Sequence, residues 1–136
     1  MKINFMQKVL YTDLDGSYAL LDYNRSHSQL LLRKRKDGVN TDILFKSVQF
    51  IVIPILLHGI EISLIDNPSE LKALKETYSF DLEYGYRVYS VTNANKDQYF
   101  LNAGVFGIFK NELDILESSV GDFTWSSLST LIFWSD

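Results

Sequence analysis

Apolar and polar positions along most of this chain alternate in short runs rich in Val, Ile, Leu, Phe and Tyr, punctuated by Gly, Asn and Asp. That is the signature of strands separated by turns. The pattern predicts strands at about residues 3–12, 17–23, 27–35, 40–46, 48–54, 58–65, 85–92, 97–103 and 104–110. Lys36-Asp37-Gly38 lies between two such runs and predicts a hairpin, because Asp-Gly supplies the positive φ that a tight turn needs. Asn93 to Lys96 predicts another.

Helical periodicity is confined to one place, DNPSELKALKETYSF, and predicts a helix over about 68–79. Asn67 is a capping residue, Pro68 suits the first helical position, and Glu70 follows three residues after the cap. The apolar stripe Leu71, Leu74 and Tyr78 should lie on a sheet face. The run FIVIPILL, Phe50 to Leu57, has no polar position and reads as a strand buried on both faces. Two segments echo each other, LLLRKRKDGVNTDILFKSVQFIVI and VYSVTNANKDQYFLNAGVFGIFK. Each is strand, polar turn, strand, a small residue with Val, then strand, a layout that alternating strands also produce without duplication. The tail GDFTWSSLSTLIFWSD is apolar enough to be docked. Together these features predict an α+β fold: a single domain over residues 1–136, dominated by an antiparallel, meandering sheet of about 8–9 strands, with one helix near 68–79.

Composition narrows the chemistry. Apolar residues at 46% and charged residues at 22% are the balance of a folded chain. The absence of Cys removes disulfides, thiolate nucleophiles and Cys-ligated zinc, and two isolated His residues leave little for a metal site. Neither a cofactor nor a metal is expected. The net charge of -4 argues against nucleic acid as a general partner, since that affinity comes from Lys and Arg facing phosphates. The opening MKINFMQKVLYTDLDG lacks the apolar core of a signal peptide, which places the protein in the cytoplasm. A membrane is not expected as a partner either: Ser47 to Ile65 is interrupted by Pro54, His58 and Glu61, whereas a span needs about 20 apolar residues.

The stretch VLYTDLDGSYALL, residues 9–21, resembles the first motif of the haloacid-dehalogenase-like hydrolases, an apolar strand followed by Asp-x-Asp-Gly-Ser or Thr. The resemblance implies a Mg2+-dependent phosphohydrolase with Asp13 as nucleophile and Asp15 as general acid and base. By the same resemblance Thr92 would belong to the second motif, Lys110 to the third and Asp122 to the fourth. Spacing argues against it: only 29 residues (121 minus 92) separate Thr92 from Gly121, where that family needs two helices and two strands. Asp-x-Asp-Gly then reads as a turn between two antiparallel strands.

Asp22, Arg25, Ser26 and His27 bring together an acid, a base and a hydroxyl, but no glycine-framed nucleophile turn accompanies them. His58 reads as a turn residue or a hydrogen-bonded strand end. In Arg33-Lys34-Arg35-Lys36, strand alternation sends Arg33 and Arg35 to one face and the lysines to the other. That run reads as a solvated hairpin end or as a contact for an acidic partner, with Arg33 and Arg35 the candidate binding residues. Trp125 and Trp134 are candidate aromatic anchors. With no complete catalytic set, the expected function is a non-enzymatic, adaptor- or immunity-type module that binds a protein partner or forms a homo-oligomer.

Overall fold

The computed structural model describes residues 8–26, 28–80, 87–120 and 129–135. Among the described residues nine strands form one antiparallel sheet: β1 (Lys8–Asn24), β2 (Gln29–Lys36), β3 (Val39–Lys46), β4 (Phe50–Val52), β5 (Leu56–Ile65), β6 (Arg87–Thr92), β7 (Gln98–Ala103), β8 (Val105–Asn111) and β9 (Ser129–Trp134). Among the described residues there is one helix, α1 (Pro68–Tyr78), between β5 and β6. Asn67 caps it by accepting the Glu70 amide at 3.0 Å, and Ser79 closes it in the left-handed region. Three parts of the predicted pattern, residues 3–7, 27 and 85–86, lie outside the described residues.

Strand order is β4-β7-β6-β5-β1-β2-β3-β8-β9. Exchanging β1–β4 for β5–β8 reverses the first eight strands of that order, so the sheet has two-fold symmetry in its topology. β1 and β5 pair at the centre, and each half lends its fourth strand to the other. The two segments that echo each other in sequence, β2-β3-β4 and β6-β7-β8, occupy equivalent places.

The sheet curls around its core. Phe45 on β3 and Tyr89 on β6 stand four strands apart, about 19 Å along a flat sheet. Their rings are nevertheless 6.0 Å apart, and Phe106 of β8 meets both. Tyr18, Leu32, Ile43, Ile60, Ile62 and Val91 fill the same interior.

The outer face is covered twice by different means. Under α1, Leu71 and Leu74 pack with Phe80 on Ile65, Val88, Phe50 and Phe100, and Tyr78 stacks on Phe50. On the other half, Leu21, Leu31, Leu44, Phe109 and Leu131 form a second outer cluster with Val120, which ends the segment 112–120.

Two expectations are corrected. The predicted strands at 3–12 and 17–23 are one strand, and Asp13 to Gly16 is not a turn between them. The β1–β5 ladder passes from Asp13↔Ile60 to Ser17↔His58, so three residues of β1 stand against one of β5 and are accommodated as a bulge. FIVIPILL is not a strand buried on both faces. Pro54 has no amide to give a ladder, the chain leaves the sheet after a three-residue edge strand, and Ile55 is 78% exposed. The tail supplies the opposite edge, β9. No helix among the described residues is long and apolar enough to cross a membrane.

Candidate functional site

The two-residue turn Asp37-Gly38 sets the β2–β3 register: Lys36↔Val39, Arg35↔Asn40, Lys34↔Thr41, Arg33↔Asp42. Directly opposite residues share a face, so Arg33 meets Asp42 on the outer side. Arg33 Nε donates to Asp42 Oδ1 at 2.7 Å and Nη2 to Oδ2 at 2.8 Å. Arg33 is 4% exposed and Asp42 fully buried. Oδ2 also accepts Asn111 at 2.7 Å and Ser119 at 2.6 Å, so the buried carboxylate is well supplied with donors.

Donors left over from this cluster hold the backbone of the segment above it. Arg33 Nη1 donates to the carbonyls of Asp114 and Ile115, and Arg35 Nη1 and Asn40 Nδ2 donate to that of Leu113. Three successive carbonyls are thereby tied to the sheet. A turn closes from the Glu117 amide to the Asp114 carbonyl at 2.9 Å. Its two central side chains, Ile115 and Leu116, stand 57% and 80% exposed. Their backbone is fixed by a buried ion pair while their apolar surface meets water.

The bulge in β1 forms a neighbouring feature on the inner side of β2. Lys34 Nζ and Asp13 Oδ2 form an ion pair, Tyr18 donates to the same oxygen at 2.7 Å, and the Asp15 amide donates to Oδ1 at 3.1 Å. Since the Tyr18 proton points to Asp13, the Tyr11 hydroxyl 3.4 Å away is the donor toward Tyr18. Partial burial pushes the Asp13 pKa up, but the bonds from Lys34, Tyr18 and the Asp15 amide and the Lys34 charge outweigh it and leave it lowered. Burial, and then the proton that Tyr18 donates to Asp13, hold the Tyr18 phenol well above its ordinary value.

On the outer side, Ser17 Oγ and His58 Nδ1 are 2.8 Å apart across the β1–β5 pair. Gly16 has φ +97, and a Cβ there would meet Lys34 Cδ at 2.6 Å; Gly59 has φ +78 and lies against the Leu14 backbone. Among the described residues no group of three or more His, Asp and Glu is placed to hold a metal ion.

No family model, curated protein or solved structure matches the chain, so the geometry alone carries the functional argument.

The structure distributes the residues named by the hydrolase resemblance over separate places. Asp13 faces inward beside Lys34. Thr92 shares a row with Glu61 and Thr12, one residue along β1 from Asp13 and so on the opposite face. Lys110 lies on β8, three strands from β1, and donates to Thr41 at 2.6 Å. Asp15 sits in the bulge, and Asp122 lies outside the described residues. The antiparallel sheet differs from the parallel, helix-crossed sheet that resemblance implies.

Of the candidate binding residues, Arg33 is buried on the outer face beneath the segment 112–120, Arg35 is exposed beside the pinned turn, and Trp134 lies on edge strand β9 across Gly107. Trp125 and His27 lie outside the described residues. Asp22 accepts Ser118 at 2.7 Å, whereas Ser26 bonds Asn24. Sequence reasoning missed Asp42, Asn111, Ile115 and Leu116. The Asp37-Gly38 turn, carried four pairs down the hairpin, was the available signal for Arg33 with Asp42.

Proposed function

We propose that this protein is a non-enzymatic interaction module of adaptor or immunity type, acting in the cytoplasm, whose contact with a partner protein centres on the turn carrying Ile115 and Leu116. The observation that supports the reading is the pairing of two properties in one turn: side chains out in water and backbone carbonyls held from below by Arg33 and Arg35. A turn already ordered before binding loses little conformational entropy when it docks, so its apolar area is converted to affinity more fully than that of a loose loop. Burying a Leu side chain is worth about 1.5–3 kcal/mol, enough for a small anchor to matter within a polar rim. Arg35, exposed beside the turn, belongs to that rim.

Leu116→Asp tests the reading. The folded protein should keep its thermal midpoint, because the side chain it loses is in solvent, and should lose a stoichiometric partner that the unaltered protein retains in affinity capture. Analytical ultracentrifugation of both forms separates a second copy of this chain from a different protein as that partner. A variant that binds as the unaltered protein does would overturn the assignment of the turn.

A further inference from the structure

A depression of about 290 Å³ opens beside the β1 bulge, lined by Asp15, Gly16, Ser17, Lys34, Arg35 and Lys36. Its wall carries three cations and one carboxylate in a chain where acidic residues outnumber basic ones, 17 to 13. Lys34 is neutralised by Asp13. Neither Arg35 nor Lys36 has a carboxylate partner among the described residues, where the ion pairs are Arg33–Asp42 and Lys34–Asp13. Arg35 is held in place through one nitrogen, which donates to Asn40 Oδ1 at 3.1 Å and to the Leu113 carbonyl at 2.8 Å. The Ser17 hydroxyl is positioned by His58. Arg35 and Lys36, from opposite faces of β2, therefore border one depression together with Ser17, and with the Asp15 carboxylate counted they leave it a net positive charge.

We propose that this depression binds a small oxyanion, with Lys36 and Arg35 supplying charge and Ser17 a further polar contact. The volume of about 290 Å³ leaves room for a phosphate or carboxylate group together with part of its hydration. Arg presents a planar fork to such groups and Lys a mobile point charge. Gly16 keeps the floor open, since a side chain there would collide with the Lys34 stem.

The test is an amide-resolved NMR titration of the whole chain with inorganic phosphate, repeated with acetate, at constant ionic strength set by chloride. The expected result is saturable shifts at the amides of Asp15, Gly16 and Ser17. Lys36→Ala should weaken the affinity about threefold to fivefold, as befits one partly screened charge, while Lys72→Ala on α1 leaves it unchanged. Saturation by phosphate alone would assign the site to phosphate groups, and saturation by both would assign it to oxyanions that include carboxylates. Shifts that never saturate, that spread equally over Lys72 and Lys96, or that persist unaltered in Lys36→Ala would overturn the proposal.

Discussion

The half of the sheet built on β1, β2 and β3 and the half built on β5, β6 and β7 share one topology, but only the first anchors the cover of its outer face through a buried polar cluster. In the second half the connection from β5 to β6 contains α1, whose Leu71 and Leu74 lie on Ile65 and Val88. Apolar packing of this kind has no preferred direction and is proportional to the area removed from water. In the first half β1 turns directly into β2, and beside the apolar cluster of Leu31, Leu44 and Phe109 cover comes from residues 112–120, held by Arg33, Asp42, Asn40, Asn111 and Ser119. Polar cover of this kind is directional, so it fixes one backbone path for the turn above it. The contrast explains why an exposed apolar tip is found on the polar half: hydrogen bonds to three carbonyls position the turn without needing Ile115 or Leu116 in a core.

The largest effect should come from removing Asp42. Asp42→Ala leaves the Arg33 guanidinium buried and unpaired, a situation that costs about 3–5 kcal/mol, and chemical denaturation should register it. The sharper measurement is hydrogen exchange. Residues 112–120 should lose protection while α1 keeps it, and Leu74→Ala, costing about 2–4 kcal/mol as a core truncation, should do the reverse. If either variant loosens both covers equally, the two halves are one cooperative unit and the contrast fails.

Gly16→Ala should have a smaller effect, about 1–2 kcal/mol, because φ +97 disfavours any side chain. Its Cβ would also displace Lys34 from Asp13, so the thermal midpoint should fall and the phosphate-induced shifts should weaken together. A fully stable variant would show that the bulge relaxes freely.

The smallest effect is in acid. The Asp13 pKa is lowered in the fold from an ordinary 3.8, so its ionised form contributes stability that is complete above that value and is lost as pH falls through the folded one. Thermal midpoints between pH 7 and pH 3 should therefore fall less in Asp13→Asn than in the unaltered protein. Equal slopes would mean that the Lys34 and Tyr18 contacts contribute nothing.

Much of this was legible without coordinates. The α1 cap and stripe, both hairpin turns and most strand positions follow from local chemistry: side-chain periodicity, capping by Asn67 and the positive φ available at Asp37-Gly38. The bulge was misread because Asp and Gly favour turns and bulges for the same reason, a tolerance of unusual backbone angles, and only a partner strand distinguishes the two. FIVIPILL was misread because an apolar run records a preference for burial, whereas Pro54 and a place at the sheet edge decide how much is achieved.

The sequence by itself determined that the chain is strand-rich and antiparallel, that one helix lies near 68–79, and that Arg33 and Arg35 share a face, because each depends on residues within a turn or a hairpin of one another. Only the tertiary structure decided that β1 pairs with β5 and β3 with β8, that Asp42 neutralises Arg33 beneath the segment 112–120, and that Ile115 and Leu116 stand in solvent. Those outcomes join residues as many as 82 positions apart, Arg33 with Ile115 among them. They are selected by which faces fit together when the sheet curls, and no local pattern records that.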